Sequence, residues 1–207
     1  MPGTVSTLSR SARPGPDARG TREKILDGAA RLFSEFGYNE GSIRNIAAAI
    51  GIRGPSLYHH FASKEEITAE LLRIAAATLL RELASVPASD LDPEALLDAA
   101  IAAHLRVLFH PKRYFAALLK IYGNLPPELR ETAMRELAPY LQAWIEILRR
   151  VSGRKADLDV TEAQVFFVFG AINSLPDWHY GRRAKRFTYD DLRGILKRLL
   201  LDGLRNR

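Results

Sequence analysis

Apolar side chains recur at spacings of three and four from Thr21 to the C-terminus, and no stretch alternates apolar with polar as a half-buried strand would. The first repeat, Ile25, Ala29, Leu32, Phe33 and Phe36, predicts a helix capped by Thr21 and stopped by Gly37. Gly28 lies inside it at a cost of about 1 kcal/mol relative to Ala, which a close neighbour would explain. A second helix starts after Ser42, with Ile43, Ile46, Ala47 and Ile50 on one side and Gly51 at its end. A third starts at Pro55, whose fixed φ suits a first helical position, and turns Leu57 and Phe61 inward.

Ser63 and Glu66 form an S-x-x-E capping box for a long helix running to Ser85. Pro87 to Pro93 interrupts the pattern, and Asp92 with Pro93 opens a helix to Phe109 that carries Leu97, Ile101, His104 and Leu108. Helices over Tyr114–Tyr122 and Glu128–Val151 follow, the latter expected to kink or break at Pro139. The run V-F-F-V-F-G-A-I could be a buried strand by its apolarity. A T-x-x-Q box at Thr161–Gln164 and the helical surroundings predict a helix instead, ending near Pro176. A last helix follows Thr188. The expected fold is all-α: a disordered arm over 1–20, a three-helix head over 21–62, and a larger helical body over 63–207 joined to the head by a long helix.

Within the head, Ala47 is small where two helices must cross, Gly51 makes the turn, and Leu57 seals the angle, a pattern that describes a helix-turn-helix. Ser56, Tyr58 and His59 point away from the seam, with Arg53 and Gly54 at the end that enters a major groove. Lys64 stands in the first turn of the next helix, where a nearby anion such as a DNA phosphate would offset its conflict with the helix dipole.

Residues 22–66, and above all the L-Y-x-x-F-x-S-K-E-E run from Leu57 to Glu66, resemble the DNA-binding domain of the tetracycline-repressor (TetR) family of bacterial regulators. That resemblance implies a head that binds double-stranded operator DNA and a body that forms a homodimer and takes a small-molecule inducer. It places Arg44, Arg53, Gly54 and Ser56 near base edges, with Pro55 opening the reading helix. It places Thr21, Ser42, Tyr58, His59 and Lys64 on phosphates.

Charge agrees with this reading. The net charge is +6, and residues 1–64 hold nine Lys/Arg against five Asp/Glu while residues 65–207 hold 21 against 19. The excess gathers around the head, as phosphate binding requires. The absence of cysteine excludes a disulfide scaffold and fits a reducing cytoplasm, and no stretch has the length of a membrane span. The five histidines lack metal-ligand spacing, and no phosphate-cradling loop or nucleophile elbow is present, so no catalytic residue, metal or cofactor is expected. A helical enzyme without a recognisable motif and a non-sensing helical scaffold are the rival readings.

The body is rich in aromatics, including Phe109, Tyr122, Trp144 and Phe169, which suit an apolar ligand held between helices as well as an ordinary core. Gly170, Asn173, Trp178 and Tyr180 resemble the G-x-x-N-x-x-x-x-W-Y segment of TetR-type regulators that answer to acyl-coenzyme A esters, although His179 separates the last two and Gly-Arg-Arg replaces the usual Pro-Gly. That resemblance implies an acyl-CoA inducer. Arg182, Arg183 and Arg186 suit its phosphates, and suit a solvated basic loop equally. A multidrug-type sensor is the alternative within the family. Leu192, Ile195, Leu196, Leu199 and Leu200 make an apolar face wider than one core needs; paired with Val165, Phe166, Phe169 and Ile172 it would build a four-helix dimer interface.

Overall fold

The computed structural model describes residues 16–152, 158–175 and 187–205. Nine α-helices and no strand occur among the described residues. The chain forms α1 (Pro16–Glu40), α2 (Ile43–Ala49) and α3 (Gly54–Tyr58), then α4 (Lys64–Ala84), α5 (Pro93–Leu108) and α6 (Tyr114–Ile121). A 3-10 turn (Tyr122–Asn124) leads to α7 (Pro127–Ser152), α8 (Leu158–Asn173) and α9 (Tyr189–Arg205).

Several boundaries differ from those expected. α1 begins at Pro16, so Thr21 lies inside it rather than capping it, and residues 16–20 are helical rather than part of a disordered arm. Pro16 carries the φ that a first helical residue requires. Residues 1–15 lie outside the described residues. Gly37 does end the regular helix, with φ 83°. Phe36, expected on the inner face, is exposed. α7 runs unbroken through Pro139, and α8 starts at Leu158, ahead of the expected cap at Thr161, and stops at Asn173.

The head packs α1, α2 and α3 around Ile25, Phe33, Ile46, Leu57 and Phe61, all essentially inaccessible. Two small residues set its geometry. A Cβ on Gly28 would stand 2.4 Å from Ile50 Cγ2, so α2 approaches α1 only because that carbon is missing. Gly51, at φ 72°, turns the chain into α3, and the Ile52 N–H donates to the Ala47 carbonyl at 3.0 Å. Gly54 and Pro55 occupy the first two positions of α3.

α4 joins head to body. The Ser63 hydroxyl accepts from the Glu66 N–H at 3.1 Å, and the Glu66 carboxylate reaches past the cap to accept from the Ala62 N–H at 2.6 Å. In the body, α5 lies at the centre, packed against α4, α6, α7, α8 and α9, with every residue from Ala100 to Leu105 buried. The Asp92 carboxylate caps it, accepting from the Ala95 N–H at 2.9 Å. α9 is tied to α5 by the fork of Arg193 on the Asp98 carboxylate and by the Tyr189 hydroxyl, which donates to the Ala102 carbonyl at 2.8 Å.

Head and body meet along a second line besides α4. α6 lies against α1, with the Tyr114 hydroxyl donating to Asp27 and Lys120 Nζ donating to the Ser34 carbonyl. Lys112, in the turn before α6, pairs with Glu23. Arg113 takes a left-handed conformation (φ 52°) at the start of α6. α4 is therefore not alone in touching both parts. No described helix is long and apolar enough to cross a membrane.

Candidate nucleic-acid interface and ligand site

The outer surface of the head is built by the two short helices. Ser42 caps α2, its hydroxyl accepting from the Asn45 N–H at 3.1 Å, while the Asn45 amide donates to the Glu40 carbonyl at 2.7 Å. The α2 end is pinned from behind by Arg31, which donates to the Ala49 carbonyl at 3.2 Å. α3 is little more than one turn long and is preceded by Arg53 at its N-cap, whose carbonyl accepts from the N–H groups of Ser56 and Leu57 at 3.0 and 3.3 Å. Leu57 is fully buried, which turns its neighbours outward: Tyr58 is 58% exposed, Arg53, Pro55 and His59 are exposed, and Gly54 and Ser56 are half-buried. Arg44 on α2 is exposed beside them. Arg53, Tyr58 and His59 thus present one cation and two hydrogen-bonding rings on a helix held by its single buried leucine.

Two cations behind this surface are already engaged. Arg22 donates to the His60 carbonyl at 2.9 Å, lies 4.0 Å from the Phe61 ring centre, and pairs with Glu70 at 3.6 Å. Lys64 Nζ lies 3.8 Å from the centre of the Tyr38 ring and donates to the Tyr38 carbonyl at 3.2 Å. This contact answers the electrostatic conflict that its place in the first turn of α4 poses, without requiring DNA. The Tyr38 hydroxyl in turn donates to Glu65 at 3.1 Å, and burial together with that carboxylate pushes its pKa up to about 12. Thr21 is half-buried within α1.

In the body, the structure brings three of the expected ligand residues together and leaves two apart. Trp144, Phe169 and Asn173 converge on His104, a fully buried α5 residue that the sequence marked only as a core position. The Asn173 side-chain oxygen accepts from His104 Nε2 at 2.9 Å, which leaves Nδ1 to accept from the Tyr140 hydroxyl at 2.8 Å. Burial holds the His104 pKa down to about 4, against a smaller upward pull from Asn173, so the ring is neutral. Burial pushes the Tyr140 phenol up, in keeping with its role as donor. Rings enclose the pair: Phe115 and Phe169 have centroids 5.5 and 5.3 Å from His104, and Tyr140 stacks on Phe169 at 5.6 Å. The indole Nε1 of Trp144 is buried here beside Tyr140, with no well-formed hydrogen bond among the described residues. Phe109 packs instead on Tyr189 at 6.5 Å, and Tyr122 is partly exposed at the far end of α6, beside a small apolar cavity of about 40 Å³. Trp178, Tyr180, Arg182, Arg183 and Arg186 lie outside the described residues.

The residues expected on a dimer face also divide. Val165, Ile172, Leu192 and Leu196 are buried within the single chain, and Phe169, Ile195 and Leu200 are half-buried. Phe166 and Leu199 point outward at 48% and 65% exposure, joined by Phe167 at 81%. Phe167 was missed because the continuous apolar run around it gives no phase from which to pick the outer face.

These features coincide with matches to known proteins. The profile described as "Bacterial regulatory proteins, tetR family" matches residues 25–71, and "Tetracyclin repressor-like, C-terminal domain" matches residues 90–203, more than half of the chain. The HTH-type transcriptional repressor KstR2 of Rhodococcus jostii is 30% identical over 189 residues, covering 89% of this chain and 91% of that protein. Two solved structures share the fold at lower identity. The fatty acid degradation regulator FadR from Bacillus halodurans has a TM-score of 0.72 at 22% identity, over 95% of this chain and 100% of that one. AibR, solved in complex with isovaleryl coenzyme A and operator DNA, has a TM-score of 0.67 at 19% identity, over 88% and 96%. With both its head and its body matched, this chain belongs to the TetR family of bacterial transcriptional regulators.

Proposed function

We propose that the chain acts in the cytoplasm as a homodimeric repressor that grips a palindromic operator through α3 and lets go when a hydrophobic acyl-CoA thioester occupies the body. The observation that carries the ligand half is the aromatic cage around His104. It combines an apolar enclosure, the Asn173 of the G-x-x-N segment, and an indole donor in Trp144 that makes no well-formed hydrogen bond among the described residues and that an acyl carbonyl oxygen would satisfy. Relatives lend support: KstR2 is named a repressor, and the AibR complex holds a coenzyme A thioester and operator DNA.

In this reading Arg44, Arg53, Gly54 and Ser56 meet base edges, and Ser42, Tyr58, His59 and Lys64 meet phosphates. Thr21, Trp178, Tyr180 and the arginines at 182, 183 and 186 complete the phosphate and ligand contacts. Phe115 on α6 and Phe169 on α8 both pack on His104, so an occupant of the cage would displace them, and α6 bears on α1 through Tyr114 and Asp27. Displacing α6 or the body end of α4 would change the spacing of the two reading helices, which has to match successive major grooves.

The test is release of operator-bound protein by a series of CoA thioesters, set beside the matching free acids. Release by thioesters at concentrations where the acids are inert supports the reading. Release by neither, with tight binding of an unrelated drug-like cation, would make the protein a multidrug-type sensor instead.

A further inference from the structure

A cleft of about 420 Å³ opens along the seam between head and body, a volume typical of small-molecule sites. It shares one wall, Phe115, with the His104 cage and uses none of the residues beyond Leu175. Its floor is apolar, made by Leu26 of α1, Ile74 of α4, Val107 of α5 and Phe115 of α6. Its rim is charged, made by Arg22, Arg81 and Lys112 together with Glu23 and Glu70, with His110 beside them. Two of the three Lys and Arg side chains are matched: Arg22 faces Glu70, and Lys112 faces Glu23. Arg81, exposed in the last turn of α4, has no acidic partner among the described residues.

We propose that this seam cleft binds a small amphipathic carboxylate, its apolar tail over Ile74 and Val107 and its headgroup on Arg81. The planar guanidinium offers two parallel N–H donors that fit a carboxylate. One unmatched cation in a cleft of this size suits a monoanion rather than a polyphosphate carrier such as coenzyme A. Because the walls belong to α1 on one side and to α4, α5 and α6 on the other, an occupant presses directly on the line where head meets body. Ligand and operator therefore oppose each other, each weakening the other by the same factor.

Calorimetry on the full chain with decanoate as probe, and decanol as its uncharged counterpart, tests this. Decanoate is expected to bind, with decanol at least tenfold weaker. Arg81→Gln, at an exposed position, is expected to weaken decanoate at least tenfold. Thr78→Phe, which fills the cleft from its half-exposed α4 wall, is expected to abolish binding. Decanoate binding unchanged in both variants, equal binding of the alcohol, or no binding at all overturns the proposal. Operator affinity unmoved by saturating decanoate overturns the coupling. Retained release by CoA thioesters in Thr78→Phe would show that the two sites are independent, so that either can fail without the other.

Discussion

His104, in the middle of α5, and Asn173, the last residue of α8, are joined side chain to side chain at 2.9 Å inside a shell of aromatic rings. The bond fixes the end of α8 to the centre of the body and keeps a titratable ring neutral where water does not reach. Burial lowers the folded pKa to about 4 from the ordinary 6.5. A lowered folded value means that the stability is full above the unfolded pKa and is lost as pH falls through the window from 6.5 to 4. At about 1.4 kcal/mol per unit the loss approaches roughly 3 kcal/mol. Urea denaturation of the wild type and His104→Gln at pH 7, 5.5 and 4 measures it. The stability gap between them is expected to shrink toward pH 4; a constant gap would mean that His104 does not titrate on unfolding.

Gly28 and Ile50 provide a test in which two effects have opposite signs. Helix propensity alone makes Gly28→Ala stabilising by about 1 kcal/mol. The methyl would meet Ile50 Cγ2 at 2.4 Å, and overpacking of a tight core costs about 1–3 kcal/mol. Packing is expected to win, so Gly28→Ala should lower the unfolding free energy by about 1 kcal/mol, and Gly28→Ala with Ile50→Val should recover part of it. A more stable single variant would show that α2 retreats freely.

Lys64→Ala should have two separable effects. Losing the contact with Tyr38 should cost about 0.5–1 kcal/mol in stability. If the ammonium also reaches a phosphate, operator affinity should drop alike for all sequences, and its salt dependence should become shallower by about one unit of slope. A stability loss without a change in slope would assign Lys64 to the fold alone.

Phe167 and Leu199 are the most exposed large apolar residues of α8 and α9. Phe167→Glu with Leu199→Glu should leave the fold intact and shift sedimentation from a dimer to a 23.1 kDa protomer at micromolar concentration. Because a protomer engages only one half-site, operator affinity should fall by more than a hundredfold. An unchanged dimer would move the interface elsewhere.

The sequence made the helices legible wherever a polar cap met a clear period. Ser42, Ser63 and Asp92 cap as their spacing implies, and Gly51 and Gly37 punctuate as φ > 0 requires. Boundaries failed where a plausible cap stood inside a longer helix, at Thr21 and Thr161, because a local hydrogen bond cannot outweigh continuing the helix upstream. Pro139 failed to break α7 because its neighbours pack the helix on both sides, through Ala133 and Tyr140. The head's exposed residues followed from a single buried leucine. The body's site did not, because a histidine at an apolar helix position reads as core until its partners on α7 and α8 are placed around it.

Sequence-selective DNA binding is expected to rest on α3. The measurement is the affinity of the purified full chain for duplexes selected from a random pool, compared with unselected duplex over a range of salt. Expected are enrichment of an inverted repeat whose half-sites lie on successive major grooves, a preference over random duplex of about a thousandfold or more, and loss of that preference in Arg53→Ala with Ser56→Ala while the fold persists. Equal affinity for selected and random duplex, or an unchanged preference in the double variant, would contradict it.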